Sequence, residues 1–241
     1  MTDEFVKLLD QGCVDLGVTL SDQQKQQFFK YYEMLIAKNE VMNLTAITEF
    51  EEVVQKHFID SVMIKEVREL GDNEKWIDVG TGAGFPGIPL KIVYPQLQVT
   101  LLDSLNKRVK FLQEVVDALG LEQVEALHGR AEEYAKKAEY REQYDCCVSR
   151  AVANLASLSE YCLPFVKVGG AFVPYKSGKI QEEIEAAGKA VEILGGWIGQ
   201  REEFMLPGSD MYRCLLYIEK VKATAKKYPR KAGLPGKEPL K

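Results

Sequence analysis

Asp78-Val79-Gly80-Thr81-Gly82-Ala83-Gly84-Phe85-Pro86-Gly87 continues the apolar run that opens at Trp76-Ile77 and leads into a helical pattern beginning near Ile88. A strand, a glycine-rich turn and a helix in that order let a ligand approach bare backbone. Glycines accept positive φ and carry no Cβ, and the first turn of the helix has free N–H groups. Gly82 to Gly87 satisfies the G-x-G-x-x-G pattern of nicotinamide dinucleotide domains. The glycines nearest the strand are Gly80, Gly82 and Gly84, however, with Asp78 two residues earlier, and the bulky Phe85-Pro86 stands where a pyrophosphate needs open backbone.

A carboxylate repels pyrophosphate and suits a cation. Asp78 therefore either favours the sulfonium and ammonium of S-adenosylmethionine or holds the loop by accepting its N–H bonds. The methyl donor is the favoured cofactor. A nicotinamide-dependent oxidoreductase is the alternative from another class, without an evident Tyr-x-x-x-Lys proton relay.

Outward from the loop, apolar runs alternate with helical patterns, which implies parallel βαβ units in a doubly wound α/β domain. Strands are predicted at Trp76–Val79, Val99–Leu102, Val124–Leu127, Tyr144–Ser149, Gly170–Tyr175, Trp197–Phe204 and Tyr212–Ile218, with helices over 104–119, 154–166 and 179–194. No helix separates the last two of these seven strands, so they are expected to form an antiparallel pair at a sheet edge. Asp103 ends the second strand 23 residues past Gly80, where a carboxylate accepts bonds from ribose hydroxyls. Capping the Ser104–Leu119 helix is its other reading. After the third strand, Gly129-Arg130-Ala131-Glu132-Glu133 offers a backbone N–H and an acid to an adenine edge.

Residues 1–73 read as a helical appendage, 74–221 as the cofactor-binding domain and 222–241 as a basic Pro/Gly-containing tail. Phe5, Leu8 and Leu9 fall at helical spacing, and Phe28, Phe29, Tyr31, Tyr32, Met34 and Leu35 form a second amphipathic run. Ser21 is placed to cap that second helix with Gln24 at the capping-box position, and Asn43 to end it. The chain carries a net charge of −5. Lys220 to Lys241 contains eight cations against Glu238, a net of +7, which leaves −12 elsewhere. A basic arm of this kind suits a polyanion, and its Pro and Gly content predicts an extended, mobile segment.

The five cysteines are scattered apart from the adjacent Cys146 and Cys147, with no C-x-x-C and two histidines in the whole chain. Reduced, packed thiols are expected, with neither a disulfide framework nor a metal site. No apolar run approaches the ~18 residues of a membrane span. The opening MTDEFVKLLDQG has acids where a secretory signal needs cations. A cytoplasmic location without a membrane partner is expected.

Asn43-Leu44-Thr45, His57-Phe58-Ile59-Asp60-Ser61, Asp78 to Gly87 with its Gly-Phe-Pro-Gly end, Leu102-Asp103-Ser104, Gly129-Arg130-Ala131-Glu132 and Val148-Ser149-Arg150-Ala151 together resemble the bacterial small-subunit rRNA guanine-N7 methyltransferase family, also called RsmG or glucose-inhibited division protein B. The resemblance runs along the chain and is most specific in the Gly-Phe-Pro-Gly and Ser-Arg-Ala pieces. It implies a Rossmann-like class I S-adenosylmethionine-dependent methyltransferase fold. By it, Gly80 and Phe85 line the donor site, Asp103 with Ser104 faces the ribose, Ala131 and Glu132 meet the adenine, and Arg150 closes the site. It also implies that the substrate is a guanine N7 in the 530 loop of 16S rRNA, in the 30S subunit or a precursor; a monomer is expected, although the sequence carries no mark of oligomeric state.

The residues agree with that chemistry. Guanine N7 has a free in-plane lone pair, so attack on a sulfonium methyl needs positioning and no general base. The chain has no Asn-Pro-Pro-Tyr or Asp-Pro-Pro-Tyr segment for exocyclic amines and no Pro-Cys pair for pyrimidine C5. Arg150, after the fourth strand, is the one residue assigned to catalysis, through RNA phosphate, guanine O6 or the donor carboxylate; a structural salt bridge is its alternative. His57, beside Phe58, reads as a packing residue, and His128 as a strand end. A non-catalytic rRNA-binding assembly factor remains a third reading.

Overall fold

The computed structural model describes every residue except Glu69, Val152 and Lys179. A seven-stranded sheet runs in the order β3-β2-β1-β4-β5-β7-β6. Its strands are Lys75–Val79 (β1), Gln98–Asp103 (β2), Val124–His128 (β3), Tyr144–Ser149 (β4), Val166–Ser177 (β5), Gly196–Met205 (β6) and Tyr212–Lys220 (β7). β1 to β5 pair in parallel, and β7 is antiparallel to both β5 and β6. β7 therefore lies inside the sheet and β6 forms the edge.

The helices are Asp3–Asp15 (α1), Asp22–Met42 (α2), Phe50–Val53 (α3), Asp60–Val62 (α4), Gly87–Val93 (α5), Asn106–Leu119 (α6), Ala131–Tyr134 (α7), Leu155–Cys162 (α8), Gln181–Ile193 (α9) and Leu234–Lys237 (α10). A π-helical turn, Val54–Ile59, joins α3 to α4, and a 3-10 turn, Leu163–Phe165, leads from α8 into β5. The expected start of the 179–194 helix lies outside the described residues. The capping box forms as read: Ser21 accepts from Gln24 N, Gln24 bonds back to Ser21 N, and Asn43 closes α2 in the left-handed region.

The central strands are buried on both faces, and their alternation deals side chains to two apolar layers. Trp76, Leu101, Cys146 and Val148 face one layer, while Ile77, Leu102 and Cys147 face the other. The first layer includes Phe5, Phe28, Tyr31 and Phe58 from the N-terminal helices. Residue 73 is thus a change of secondary structure and not a break in the core. Each fully buried aromatic of this layer contributes roughly 1.5–3 kcal/mol.

The C-terminal segment differs from its expectation, because it is docked. Arg230 makes a two-pronged contact with Glu160, which is 0% exposed, at 2.7 to 3.0 Å. Arg141 donates to the carbonyls of Thr224 and Tyr228 at 2.7 and 2.9 Å, and Tyr228 is buried. Composition predicted mobility, whereas a buried carboxylate that needs a cation fixes the chain.

The order of strands reverses between β1 and β4. In such sheets a crevice opens beyond the carboxyl ends of the strands at the reversal. The segments leaving β1, β2, β3 and β4 carry the glycine loop, Asp103, Gly129–Glu132 and Arg150 to that crevice.

Candidate functional site

A cavity of about 900 Å³ occupies the crevice, within the range that holds small ligands, roughly 300–1,000 Å³. Gly80 and Gly82 turn the chain at φ 74° and 63°. Gly80 N and Thr81 N donate to Leu102 O, and Gly82 N donates to Asp103 Oδ2 at 3.0 Å. A Cβ added at Gly82 meets no atom within 4 Å, so the loop presents bare backbone to open space.

Asp78 is wholly buried and is not among the residues that line the cavity. Its Oδ2 accepts from Thr81 Oγ1 at 2.7 Å and Gly87 N at 2.8 Å. Of its two sequence readings, this geometry is the loop-holding one. Burial pushes the Asp78 carboxyl up to about 7, against the pull of those two bonds and of Arg150. Gly84 also sits behind the loop, where a Cβ would collide with Tyr31 Oη and Ile88; Tyr31 Oη donates to Ala83 O at 2.7 Å.

Asp103, 4% exposed, lines the cavity. Its Oδ1 accepts from Leu105 N at 2.8 Å, and Arg108 approaches Oδ2 at 3.4 Å. The N-cap of α6 is Leu105, so Asp103 does not cap that helix. Ser104, Ala131 and Glu132 line the cavity as well. Glu132 Oε1 accepts from Gly233 N at 2.7 Å, a tie to the C-terminal segment that the sequence reading did not contain.

Arg150 lines the cavity and also forms a salt bridge. Nη1 donates to Asp60 Oδ2 at 2.8 Å and to Lys56 O at 3.1 Å, and Nη2 meets His57 Nδ1 at 3.2 Å. The guanidinium lies 5.1 Å from the Phe85 ring centroid, and His57 stacks on that ring at 4.5 Å. Arg213 Nε reaches the other Asp60 oxygen at 2.8 Å. Asp60 is 1% exposed, so one buried carboxylate holds two guanidinium groups. His57 sits in the π-helical turn, a distortion that often marks functional sites, and its Nε2 is 2.9 Å from Thr45 Oγ1. Burial first, then Arg150, lowers the ring's pKa to about 3, which keeps it neutral.

Sequence reasoning gave Asp60 no role and missed Arg213 and Arg108. An acid inside Phe58-Ile59-Asp60-Ser61-Val62 is a signal, since a buried charge requires a partner. Arg213 offers no local signal. A second cavity, of about 550 Å³, adjoins the first and shares His57, Arg150, Ala151, Ala153 and Asn154 with it. Asp60, Tyr175 and Arg213 also line it. The five cysteines are buried free thiols. Among the described residues no group of three or more His, Cys, Asp or Glu is placed to hold a metal, and no helix is long and apolar enough to cross a membrane.

The family model described as GidB, rRNA small subunit methyltransferase G, matches residues 24–202. The Ribosomal RNA small subunit methyltransferase G of Lachnoclostridium phytofermentans is 55% identical over 230 residues, covering 95% of this chain and 95% of that protein. Its counterpart from Alkaliphilus metalliredigens is 54% identical over 238 residues, covering 99% and 100%. Among solved structures, a SAM-dependent methyltransferase from Aquifex aeolicus superposes with a TM-score of 0.52 at 20% identity, covering 69% of this chain and 92% of that one. M. jannaschii TYW2 in complex with AdoMet gives 0.51 at 17% identity, covering 63% and 71%. At these identities the two structures speak for the fold alone.

Proposed function

Because the chain belongs to the rRNA small subunit methyltransferase G family, we propose that it transfers the methyl group of S-adenosylmethionine to N7 of a guanine in the 530 loop of 16S rRNA. The observation that carries this reading is the meeting of two cavities across His57, Arg150 and Ala151, one walled by the glycine loop and Asp103, the other by Arg213 and Tyr175.

The residues suit the donor. Gly82 leaves open space at the turn where a Cβ would stand, and Asp103 retains lone pairs for ribose hydroxyls beside those used by Leu105 N and Gly82 N. Ala131 and Glu132 hold the adenine end, with Glu132 Oε2 as acceptor while Oε1 serves Gly233. Bound there, the donor supplies a methyl group on positively charged sulfur. Guanine N7 forms the new N–C bond with its own lone pair as the S–C bond breaks toward sulfur, so no side chain has to remove a proton.

Alignment is therefore the task of the protein. His57, held neutral, adds no cation beside the sulfonium, and it packs Phe85 against the shared wall. Asp60 fixes Arg150 and Arg213, and the three charges sum to +1, a net cation for RNA phosphate or guanine O6. The exposed lysines of the C-terminal segment add a sequence-independent attraction to RNA. We further propose that the protein acts as a monomer in the cytoplasm.

The test supplies the purified chain and the methyl donor to 30S particles, or to naked 16S rRNA, that lack this modification, and maps N7-methylguanosine by strand cleavage at the modified base. One new mark in the 530 loop is expected. A mark on an exocyclic amine, or none on either substrate, overturns the reading.

A further inference from the structure

We propose that the C-terminal segment 230–238 is a cofactor-binding element, forming one wall of the donor cavity at its adenine end and setting how tightly the donor is held. This rests on the donor site described above and extends it to a part of the chain that composition marked as a loose RNA arm.

Three ties bring the segment to the cavity. Gly236 lines it beside Ser157, Leu158 and Tyr161 of α8. Pro235 O accepts from Ser157 Oγ at 2.6 Å, and Gly233 N donates to Glu132 Oε1 at 2.7 Å. Ser157 and Glu132 are themselves cavity-lining residues, so the same side chains face the ligand space and hold the segment. A Cβ at Gly236 would stand 3.2 Å from Tyr161 Oη, which shows how closely the chain is laid against this wall.

The anchor lies outside the cavity. Both oxygens of Glu160 accept from the Arg230 guanidinium, Oε1 also accepts from Arg230 N at 2.7 Å, and Arg230 Nη2 donates onward to Glu238 O at 2.7 Å. Glu160 is 0% exposed. Lifting the segment would leave that carboxylate buried without its cation, a costly state, so the docked arrangement dominates. A ligand that touches the docked wall then binds more tightly to the docked form, and by reciprocity it holds the segment down. Lys231 and Lys237 lie exposed within this stretch, which makes them reporters of its release.

The experiment compares the full chain with one ending at Pro229 by calorimetric titration of S-adenosylhomocysteine, and follows tryptic cleavage after Lys231 and Lys237 with and without that ligand. Coupling between linked sites spans about 5- to 150-fold; a rise in Kd of about tenfold or more is expected on truncation, with slower cleavage of the liganded full chain. Because truncation strands Glu160, the shortened chain is also made with Glu160→Gln, and the full chain with Gly236→Phe, which crowds the wall without removing the anchor. Weakened binding in these two folded variants supports the proposal. Undiminished affinity in both, with ligand-independent cleavage, overturns it. A full chain that binds no S-adenosylhomocysteine sinks the donor site itself, and this extension with it.

Discussion

The glycine loop and the Asp60 cluster stand on the same crevice and are built in opposite ways. Ten consecutive residues, 78–87, make the loop, and Thr81 and Gly87 hold its own carboxylate, Asp78, from within that stretch. His57, Asp60, Arg150 and Arg213 come from a π-turn and the helix after it, the end of β4 and the start of β7, with bonds spanning 90 and 153 positions. A contiguous element can be read before it is folded. A cluster of mutually dependent charges exists only once the sheet has brought its members together.

That contrast predicts which site breaks harder. Asp60→Ala leaves two guanidinium groups without their buried partner, and a loss of about 3–5 kcal/mol is expected in chemical denaturation; a change under 1 kcal/mol would mean that the cluster is loosely solvated. Asp103→Ala acts on the ligand more than on the fold. Hydrogen bonds to a charged group contribute roughly 1.5–3 kcal/mol, so the Kd for S-adenosylmethionine should rise between tenfold and a hundredfold, and unchanged calorimetric affinity would remove Asp103 from the ribose site.

The neutral state of His57 sharpens the comparison through pH. Its pKa falls from 6.5 in the unfolded chain to about 3 in the fold. Below pH 6.5 the unfolded ring gains a proton that the folded ring refuses, so this contribution to stability is lost as pH falls from 6.5 toward 3. The size is at most about 1.4 kcal/mol per pH unit. Asp78, raised to about 7, titrates in the opposite sense over an overlapping window, and the useful readout is therefore the gap between the parent chain and His57→Gln. The parent should lose stability relative to the variant between pH 6.5 and 5; parallel curves would show a solvated ring. The smallest effect belongs to the surface: Lys226→Gln with Lys227→Gln should lower the salt slope of rRNA binding by about one unit per lost phosphate contact, and an identical slope would place RNA elsewhere.

Much of the fold was readable from sequence because its signals are local. Seven apolar runs and the missing helix between the last two gave the strand count and the antiparallel end, although not that β7 would insert between β5 and β6. Ser21, Gln24 and Asn43 marked both ends of α2 through short-range bonds. The tail was misread because Lys, Pro and Gly content reports only the chain's own solubility. What docks it is Glu160, buried some seventy residues away. Asp78 was readable as an important acid, but whether it faced the ligand or the loop depended on how the folded turn brings Thr81 Oγ1 and Gly87 N onto it.

The central claim is that the bare-backbone loop and Asp103 enclose the methyl donor. A crystal structure of the chain with S-adenosylhomocysteine tests it most directly. The account predicts the nucleoside along Gly80–Gly82, with its ribose hydroxyls on Asp103 and its adenine between Ala131 and the 230–238 segment. An empty cavity at saturating ligand, or NAD occupying it in competition, would contradict the account.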